Sequence, residues 1–190
     1  MDPFLKKKWE RVFNTFFDVN RNQVIDWNDF EILFEKIKDL RGEDSTEYKI
    51  VHDAMRTVWR GLVHAIKGID MYSTSGEDLE QQITLTEWDK MWTKYDAAHM
   101  HIWQWEYLKY MFFLIDTSGD KLIDKDEYVS VMNLYGVSKS DAERAFEKFA
   151  VDEKGKRIDK VNYGQFVKLW NDFFTSKDRN APGSYLFGPV

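Results

Sequence analysis

The sequence predicts an all-α protein made of four helix-loop-helix units that form two packed pairs. Apolar residues recur at helical spacing over long stretches such as 4–17 and 48–66. Short loops rich in acidic and amide side chains follow some of these stretches, most clearly at 18–29 and 116–127. The pattern returns at intervals of roughly 40 to 60 residues, and such an internal repeat indicates one supersecondary unit used several times.

The loop at 116–127, DTSGDKLIDKDE, carries the clearest chemical signal in the chain. Oxygen-bearing side chains stand at positions 1, 3, 5, 9 and 12 of this loop, and the apolar Ile123 stands at position 8. Calcium takes six to eight oxygen ligands, and a tight loop can aim alternate side chains at one ion. The pattern is therefore that of an EF-hand calcium loop, in which Asp124 would act through a water molecule. The predicted ligands are Asp116, Ser118, Asp120, the backbone carbonyl of Leu122, and Glu127.

Position 6 of this third loop departs from the usual pattern. EF-hand loops normally carry Gly there because the backbone turns through a positive φ angle, and this chain has Lys121. A side chain in that conformation costs about 1–2 kcal/mol, which calcium coordination can offset. We therefore expect the third loop to bind calcium, with some loss of affinity or rate.

The loop at 18–29, DVNRNQVIDWND, matches the same pattern with two changes. Gln23 takes the glycine position, and Asp29 stands at position 12 where Glu is usual. The shorter Asp29 side chain reaches an ion less easily with both oxygens, which favours six-fold coordination and makes Mg²⁺ an alternative to Ca²⁺ in this first loop. The predicted ligands are Asp18, Asn20, Asn22, the backbone carbonyl of Val24, and Asp29.

The second loop is expected to keep its structure without binding metal. If Ile83 takes position 8 and Glu87 takes position 12, then position 1 falls on Gly76, which has no ligand side chain. Asp78 and Glu80 still fit positions 3 and 5. The stretch before them is longer than a helix-to-loop junction needs, so a first ligand from residues 70–76 stays an open alternative.

The fourth loop is predicted to be metal-free. Taking Ile158 as the position-8 residue places Val151 at position 1 and Asn162 at position 12, and this arrangement supplies no cage of oxygen ligands. A start at Asp152 instead puts lysines where oxygens belong. Because EF-hand loops pair through short strands, we expect the two silent loops to support the two active ones.

This pairing predicts an N-terminal EF-hand pair over residues 1–95 and a C-terminal pair over 100–190. The apolar tail of the second pair, around Tyr185, Leu186 and Phe187, should pack back on its body. His99 and His101 lie in the connection between the pairs. Histidines two residues apart lie on different sides of a helix, so we expect a solvated connector there and no metal site.

The composition excludes several other classes of protein. Zero Cys excludes disulfides and thiolate metal sites, and a net charge of −6 argues against nucleic acid as a partner. No apolar run is long enough to span a membrane, and no secretory signal follows the first residues, so a cytoplasmic protein is expected. No catalytic constellation stands out, because the loops already account for the carboxylate clusters. The sequence thus predicts a binding protein and no enzyme.

The whole chain resembles calexcitin and the related invertebrate sarcoplasmic calcium-binding proteins. The resemblance is carried by WERVFNTFFDVNRNQVIDWNDF, DTSGDKLIDKDEY, TEWDKMW and the ending LFG. It implies a compact fold with the halves packed together, and a monomer is expected. It also implies a cytosolic calcium buffer or calcium signal with a protein target such as an ion channel. The family typically has three metal-binding loops, and this chain departs from that by lacking the first aspartate of the second loop.

One alternative function belongs to a different class. The calcium-triggered photoproteins resemble sarcoplasmic calcium-binding proteins in fold and hold an apolar ligand. The 8 Trp and 9 Tyr of this chain could line such a cavity, although an aromatic core explains them more simply. A calcium-binding buffer or signalling protein is therefore the leading prediction, and a calcium-regulated apolar-ligand protein is the alternative.

Overall fold

A computed structural model describes residues 2–94 and 100–190 of the chain. The first helix, over Pro3–Val12, continues without a break as a π-helical turn over Phe13–Phe17. The all-α fold with four helix-loop-helix units, predicted from the helical periodicity, is confirmed. Within the described residues, the α-helices are α1 (Pro3–Val12), α2 (Trp27–Arg41), α3 (Thr46–Lys67), α4 (Leu85–Thr93), α5 (Ile102–Ile115), α6 (Lys125–Leu134), α7 (Lys139–Phe149) and α8 (Tyr163–Thr175).

The second helix of every unit begins with the same exchange of hydrogen bonds. A polar side chain at the N-cap accepts a bond from the backbone amide three residues later, and the side chain there accepts one from the amide of the N-cap residue. This capping box satisfies two amides that a helix start leaves unpaired, and it fixes position 12 of each loop in the first helical turn. The four boxes join Asp26 with Asp29, Thr84 with Glu87, Asp124 with Glu127, and Asn162 with Gln165.

Short antiparallel strands join the loops in two pairs. Strand β1 (Val24–Ile25) pairs with β2 (Ile83–Thr84), and strand β3 (Leu122–Asp124) pairs with β4 (Lys160–Asn162). Ile25 lies opposite Ile83, so both are the position-8 residues that the sequence predicts. The first loop is therefore paired with the second, and the third with the fourth.

The predicted register of the fourth loop is wrong. Val161 lies opposite Ile123 and so occupies position 8, the place predicted for Ile158. Asn162 is the N-cap of α8 at position 9, and Gln165 takes position 12. The error arose because Ile158 and Val161 are both apolar, and only strand pairing distinguishes them.

The start of the fourth loop also differs from the prediction. Ala150 donates its amide to the carbonyl of Phe146 over 2.8 Å, as Asp116 does to Phe112 over 2.9 Å in the third loop. Ala150 is thus the counterpart of Asp116 at position 1, and the loop runs longer than the twelve residues of an EF-hand. With Ala at its first position and Gln165 at its last, it offers no carboxylate at either end of the cage.

The chain divides into two structural units. The N-terminal unit is Val12–Tyr110, and the C-terminal unit is Met111–Val190 together with Met1–Arg11. The predicted N-terminal pair over 1–95 therefore lies mainly in the first unit, whereas its first eleven residues belong to the second. That residues 1–95 and 100–190 are separate domains stays a prediction.

Tryptophan and phenylalanine rings fill the core of the N-terminal unit. The ring of Trp88 lies 5.4 Å from that of Phe17, 5.7 Å from that of Trp92 and 5.8 Å from that of Trp103. All four side chains are buried. Edge-to-face and tilted contacts at these distances stabilise a core beyond simple area burial.

The C-terminal tail packs into the core of the C-terminal unit. Leu186 and Phe187 are each 1% exposed, and the ring of Phe187 lies 4.8 Å from that of Phe173 and 5.3 Å from that of Trp170. The guanidinium of Arg11 donates to the carbonyl of Phe187 over 2.6 Å, which holds the N-terminal helix in this unit. The prediction that the tail packs back is confirmed.

In the described part of the chain, no helix combines the length and the apolar character that crossing a bilayer requires.

Candidate metal centres

The third loop is organised by hydrogen bonds from backbone amides to its carboxylates. Asp116 accepts from the amide of Lys121 over 3.0 Å, and Asp120 accepts from that of Leu122 over 2.9 Å. Glu127 accepts from Ser118 over 2.9 Å with one oxygen and from Asp124 over 3.0 Å with the other. Three of the predicted ligands are thus held in one short loop, with Glu127 bridging its beginning and its end.

The first loop has the same frame. Asp18 accepts from the amides of Asn22 and Gln23 over 3.0 and 3.1 Å. Asp29 accepts from the amides of Asn20 and Asp26 over 3.1 and 3.0 Å, as Glu127 does in the third loop. Asp18 and Asp29 are 3% and 1% exposed, so this carboxylate pair lies inside the loop. In both loops, the acidic side chains at positions 1 and 12 accept hydrogen bonds from backbone amides of the same short segment.

The backbone turns at positions 4 and 6 are shared by both loops. The φ angles at position 6 are +73° for Gln23 and +66° for Lys121, the left-handed conformation that the sequence analysis expects there. Position 4 is left-handed as well, with Arg21 at +60° in the first loop and Gly119 at +71° in the third. The strain at Arg21 is not among the sequence-based predictions. The glycine at position 4 of the third loop, Gly119, is the signal that indicates a left-handed residue there.

The carboxylates at position 12 differ in their proton affinity. Burial raises the pKa of Asp29 to about 6, aided by the nearby charges of Asp26 and Asp18 and opposed by two backbone amides. Burial acts in the same direction on Glu127, but hydrogen bonds from Asp124 and Ser118 outweigh it and lower its pKa. Negative charge is therefore harder to accommodate in the first loop without a cation.

One predicted ligand has a partner outside its own loop. The ammonium of Lys160 in β4 lies 2.6 Å from Oδ2 of Asp120. The hydrogen bond from Lys160 lowers the pKa of Asp120. The sequence pattern does not indicate this contact, because Lys160 stands forty positions from Asp120. The pairing of β3 with β4 brings the two residues together.

The donor sets of the first and third loops fit a hard divalent cation. They contain carboxylate, amide, hydroxyl and backbone carbonyl oxygens, which suit Ca²⁺ and Mg²⁺ and not softer metals. Among the described residues, no three His, Cys, Asp or Glu side chains lie close enough to hold a metal ion by themselves. The assignment of individual ligands in both loops stays a prediction.

The second loop is built differently. A 3₁₀ turn over Glu77–Glu80 replaces its first half, and Gly76 caps that turn with a φ of +76°. Asp78, a candidate for position 3, is 5% exposed and forms an ion pair with Arg56 of α3. Position 12 is Glu87, whose Oε1 lies 2.5 Å from the ammonium of Lys67. Arg56 and Lys67 could not be recognised from the loop pattern, because both lie in α3, before the loop begins.

Of the two connector histidines, only His101 belongs to the part of the chain that the structure describes. His99 lies outside the described residues. His101 is half-buried, and burial together with the nearby His64 lowers its pKa. His64 and His101 line an open groove of about 550 Å³ with Met71 and Met100.

Curated relatives cover the full length of the chain. Calexcitin-1 of Caenorhabditis elegans is 34% identical over 190 residues, which is 100% of this chain and 89% of the relative. Sarcoplasmic calcium-binding proteins I, III and IV of Branchiostoma lanceolatum are 23% identical over 195 residues, covering 99% and 98%. No protein-family model matches the sequence.

Solved structures share the fold. A sarcoplasmic calcium-binding protein from amphioxus superimposes with a TM-score of 0.76 at 20% identity and covers 100% of both chains. The photoprotein clytin follows with a TM-score of 0.67 at 19% identity, covering 97% of this chain and 93% of its own. At these identities the likeness concerns the fold alone.

Proposed function

The chain belongs to the calexcitin and sarcoplasmic calcium-binding protein family of EF-hand proteins, and on that basis we propose that it binds calcium in its first and third loops. The observation that carries the proposal is the frame shared by these two loops. In each, an acidic side chain at position 12 ties the loop start to the exit helix, and position 6 is left-handed. Calcium would be held by the side-chain and backbone carbonyl oxygens predicted as ligands in these two loops.

The residues proposed to hold the two ions are those selected from the sequence. A bound ion would supply charge neutralisation and would link the loop oxygens to one centre. Hydrogen bonds from backbone amides position the carboxylate oxygens in each loop. These carboxylates belong to Asp18 and Asp29 in the first loop and to Asp116, Asp120 and Glu127 in the third. The second and fourth loops pair with them through β2 and β4 and bind no metal.

We infer a buffer or a modest switch, acting as a cytoplasmic monomer without catalytic activity. Sensor EF-hand proteins open on calcium and expose a Met-rich groove, whereas buffers barely open. Four methionines are buried within the helices: Met55, Met91, Met111 and Met132. A protein target such as an ion channel is carried over from the family resemblance only.

No feature of the described residues favours the apolar-ligand alternative. The rings of Trp88, Trp92 and Trp103 contact one another at 5.7 to 6.0 Å, as in a packed aromatic core. The aromatic content is therefore accounted for by packing in this unit.

Calorimetric titration of chelator-stripped protein with calcium tests the proposal. Two calcium ions are expected to bind, one lost in Asp29→Asn and the other in Glu127→Gln. Glu153→Gln is the control, because this exposed residue belongs to the metal-free fourth loop. Circular dichroism would show that each variant is folded. Absence of calcium binding in the wild type would overturn the proposal.

An apolar fluorescent dye separates a buffer from a sensor. If the protein is a buffer, we expect little change in dye fluorescence when calcium is added, because Met55, Met91, Met111 and Met132 would stay buried within the helices. A large increase would indicate an opening groove and a sensor.

A further inference from the structure

We propose that the ammonium group of Lys67 is the resident cation of the second loop, where it links the two helices as a metal ion would. This inference rests on the proposed calcium binding of the first and third loops. Lys67 lies in the last turn of α3, and Glu87 lies in the first turn of α4. Their Nζ and Oε1 atoms are 2.5 Å apart.

Glu87 is the residue that would close a metal cage in this loop. It occupies position 12, and its capping box with Thr84 matches those of Asp29 and Glu127 in the proposed metal loops. Its Oε2 accepts from the amide and the hydroxyl of Thr84, each over 3.0 Å. Oε1 of Glu87 is held by the ammonium of Lys67, whereas both carboxylate oxygens of Glu127 accept from uncharged amides and a hydroxyl.

Asp78, the candidate ligand at position 3 of this loop, is held by basic side chains of α3. Asp78 is paired with Arg56, and the guanidinium of Arg60 lies 3.9 Å from the same carboxylate oxygen. Helix α3 ends at Gly68 in a left-handed turn, after which Asp70 accepts from the amide of Tyr72 over 3.0 Å. A first ligand from residues 70–76 stays an open alternative, because a carboxylate that accepts a loop amide can also bind an ion, as proposed for Asp116.

The Lys67–Glu87 pair performs the mechanical task of a bound ion. In an EF-hand, the metal joins position 1, near the end of the first helix, to position 12 at the start of the second. Lys67 and Glu87 join the same two places through side chains that are 24% and 35% exposed. Burial alone would raise the pKa of Glu87, but the bonds from Lys67 and Thr84 lower it, so the carboxylate stays charged.

The link between Lys67 and Glu87 also affects the first loop. Because this ion pair joins α3 to α4 without calcium, β2 presents Ile83 and Thr84 to β1 before calcium binds. The first loop therefore closes against a partner that is already ordered, which lowers the conformational entropy that its calcium must overcome. Lys67 acts on the first site as a positioning residue, without touching its ion.

A double-mutant cycle in calcium-free protein tests the link. Lys67→Met and Glu87→Gln should each lower the urea midpoint of unfolding, and the double variant should lower it by less than the sum of the two. Lys67→Arg keeps the charge and should restore most of the midpoint. Lys49→Met, an exposed lysine of the same helix, is the matched control and should change little. Additive effects of Lys67→Met and Glu87→Gln would overturn the proposal.

Calcium titration gives a second readout that loss of stability alone would not produce. Glu87→Gln and Lys67→Met should both keep two calcium ions per chain, while the affinity of the first loop falls by about threefold to tenfold. The third loop is the internal control and should keep its affinity. Loss of one calcium ion in Glu87→Gln would mean that the second loop binds metal through Glu87, which would overturn the inference. Failure of the wild type to bind calcium would overturn the proposed function. The double-mutant cycle would still test the link between Lys67 and Glu87, because it is measured in calcium-free protein.

Discussion

The ammonium of Lys160 and the carboxylate of Asp120 form an ion pair that reaches from the metal-free fourth loop into the third. Lys160 lies in β4 opposite Asp124, so the strand pairing aims its side chain at the neighbouring loop. A calcium ion bound to Asp120 would have to displace this ammonium and would then lie close to it. The fourth loop, which we propose to be metal-free, would thus act on calcium binding in the third loop through the charge of Lys160.

Lys160→Met is expected to raise the calcium affinity of the third loop. Because this exposed ammonium competes with calcium for Asp120, its removal should lower the dissociation constant by up to about fivefold. Calorimetry at low and high salt would measure it, and salt should shrink the difference. Lys168→Met removes another exposed lysine of the same unit, which pairs with Glu153 instead of a proposed ligand, and it should leave the affinity unchanged. An unchanged or weaker third site in Lys160→Met would contradict the prediction.

Asp29→Glu is expected to shift the first loop toward calcium. The longer side chain can offer both oxygens to the ion, which favours the higher coordination number of calcium over the octahedral geometry of magnesium. Titrating calcium with and without millimolar magnesium should show competition at the first loop of the wild type and much weaker competition in the variant. The third loop, with Glu127 already in place, provides the comparison within the same molecule. Equal magnesium competition in both proteins would show that Asp29 does not set the ion preference.

Lys121→Gly is expected to stabilise the calcium-free protein. Lys121 has a φ of +66°, which a side chain adopts at a cost of about 1–2 kcal/mol. Glycine relieves this strain but loses more entropy on folding, so a net gain of about 0.5–1 kcal/mol should appear in urea unfolding. Gly119→Lys is the reverse change in the same loop, at a φ of +71° where a Cβ meets no atom within 4 Å. It should destabilise, and equal signs for the two variants would refute the strain argument.

Tyr128→Phe is expected to loosen the C-terminal tail. The Tyr128 hydroxyl donates to the carbonyl of Leu186 over 2.7 Å, and both residues are buried. Removing the donor leaves that carbonyl without its partner, at a cost of about 1–3 kcal/mol in the free energy of unfolding. Tyr163→Phe removes a hydroxyl from a side chain that is 40% exposed and should change stability by less than about 0.5 kcal/mol. Similar losses of unfolding free energy in both variants would mean that the hydrogen bond from Tyr128 to Leu186 does not stabilise the tail more than an exposed hydroxyl does.

Lys8 is expected to make stability depend on alkaline pH. Burial lowers the pKa of Lys8 from 10.5 to about 8, although the charges of Asp172 and Asp2 oppose the shift. Its ammonium donates to the carbonyls of Ser176 and Asp172 over 2.6 and 3.2 Å. Between these two pKa values the unfolded chain binds the proton and the folded protein does not, so folding becomes more favourable as pH rises.

The comparison with Lys8→Met isolates this effect, since the other titrating groups are common to both proteins. From pH 8 to 10.5, the wild type should gain stability relative to the variant, measured by urea unfolding at each pH. Below pH 8 the difference between the two should be flat. Parallel stability curves over the whole range would show that Lys8 keeps its proton in the folded state.

The register of three loops could be read from the sequence because it is encoded locally. Ligand spacing, the apolar residue at position 8 and the acidic residue at position 12 all lie within twelve residues, and loop geometry fixes their relation. The fourth loop shows the limit, because Ile158 and Val161 satisfy the apolar requirement equally well. The pair Asn162 and Gln165 repeats the capping box of Asp124 and Glu127, and this signal would have given the correct register.

The sequence by itself determined the helical units, the first and third loops and their predicted oxygen ligands, because these depend on contacts between near neighbours in the chain. Only the tertiary structure decided which lysines face the loop carboxylates and which unit the first eleven residues join. Lys67 and Glu87 are brought together by the pairing of two helices, and Lys160 and Asp120 by the pairing of two strands. An ammonium on a flexible stem can reach many places, so its partner is set by the packing of the chain and not by its position in the sequence.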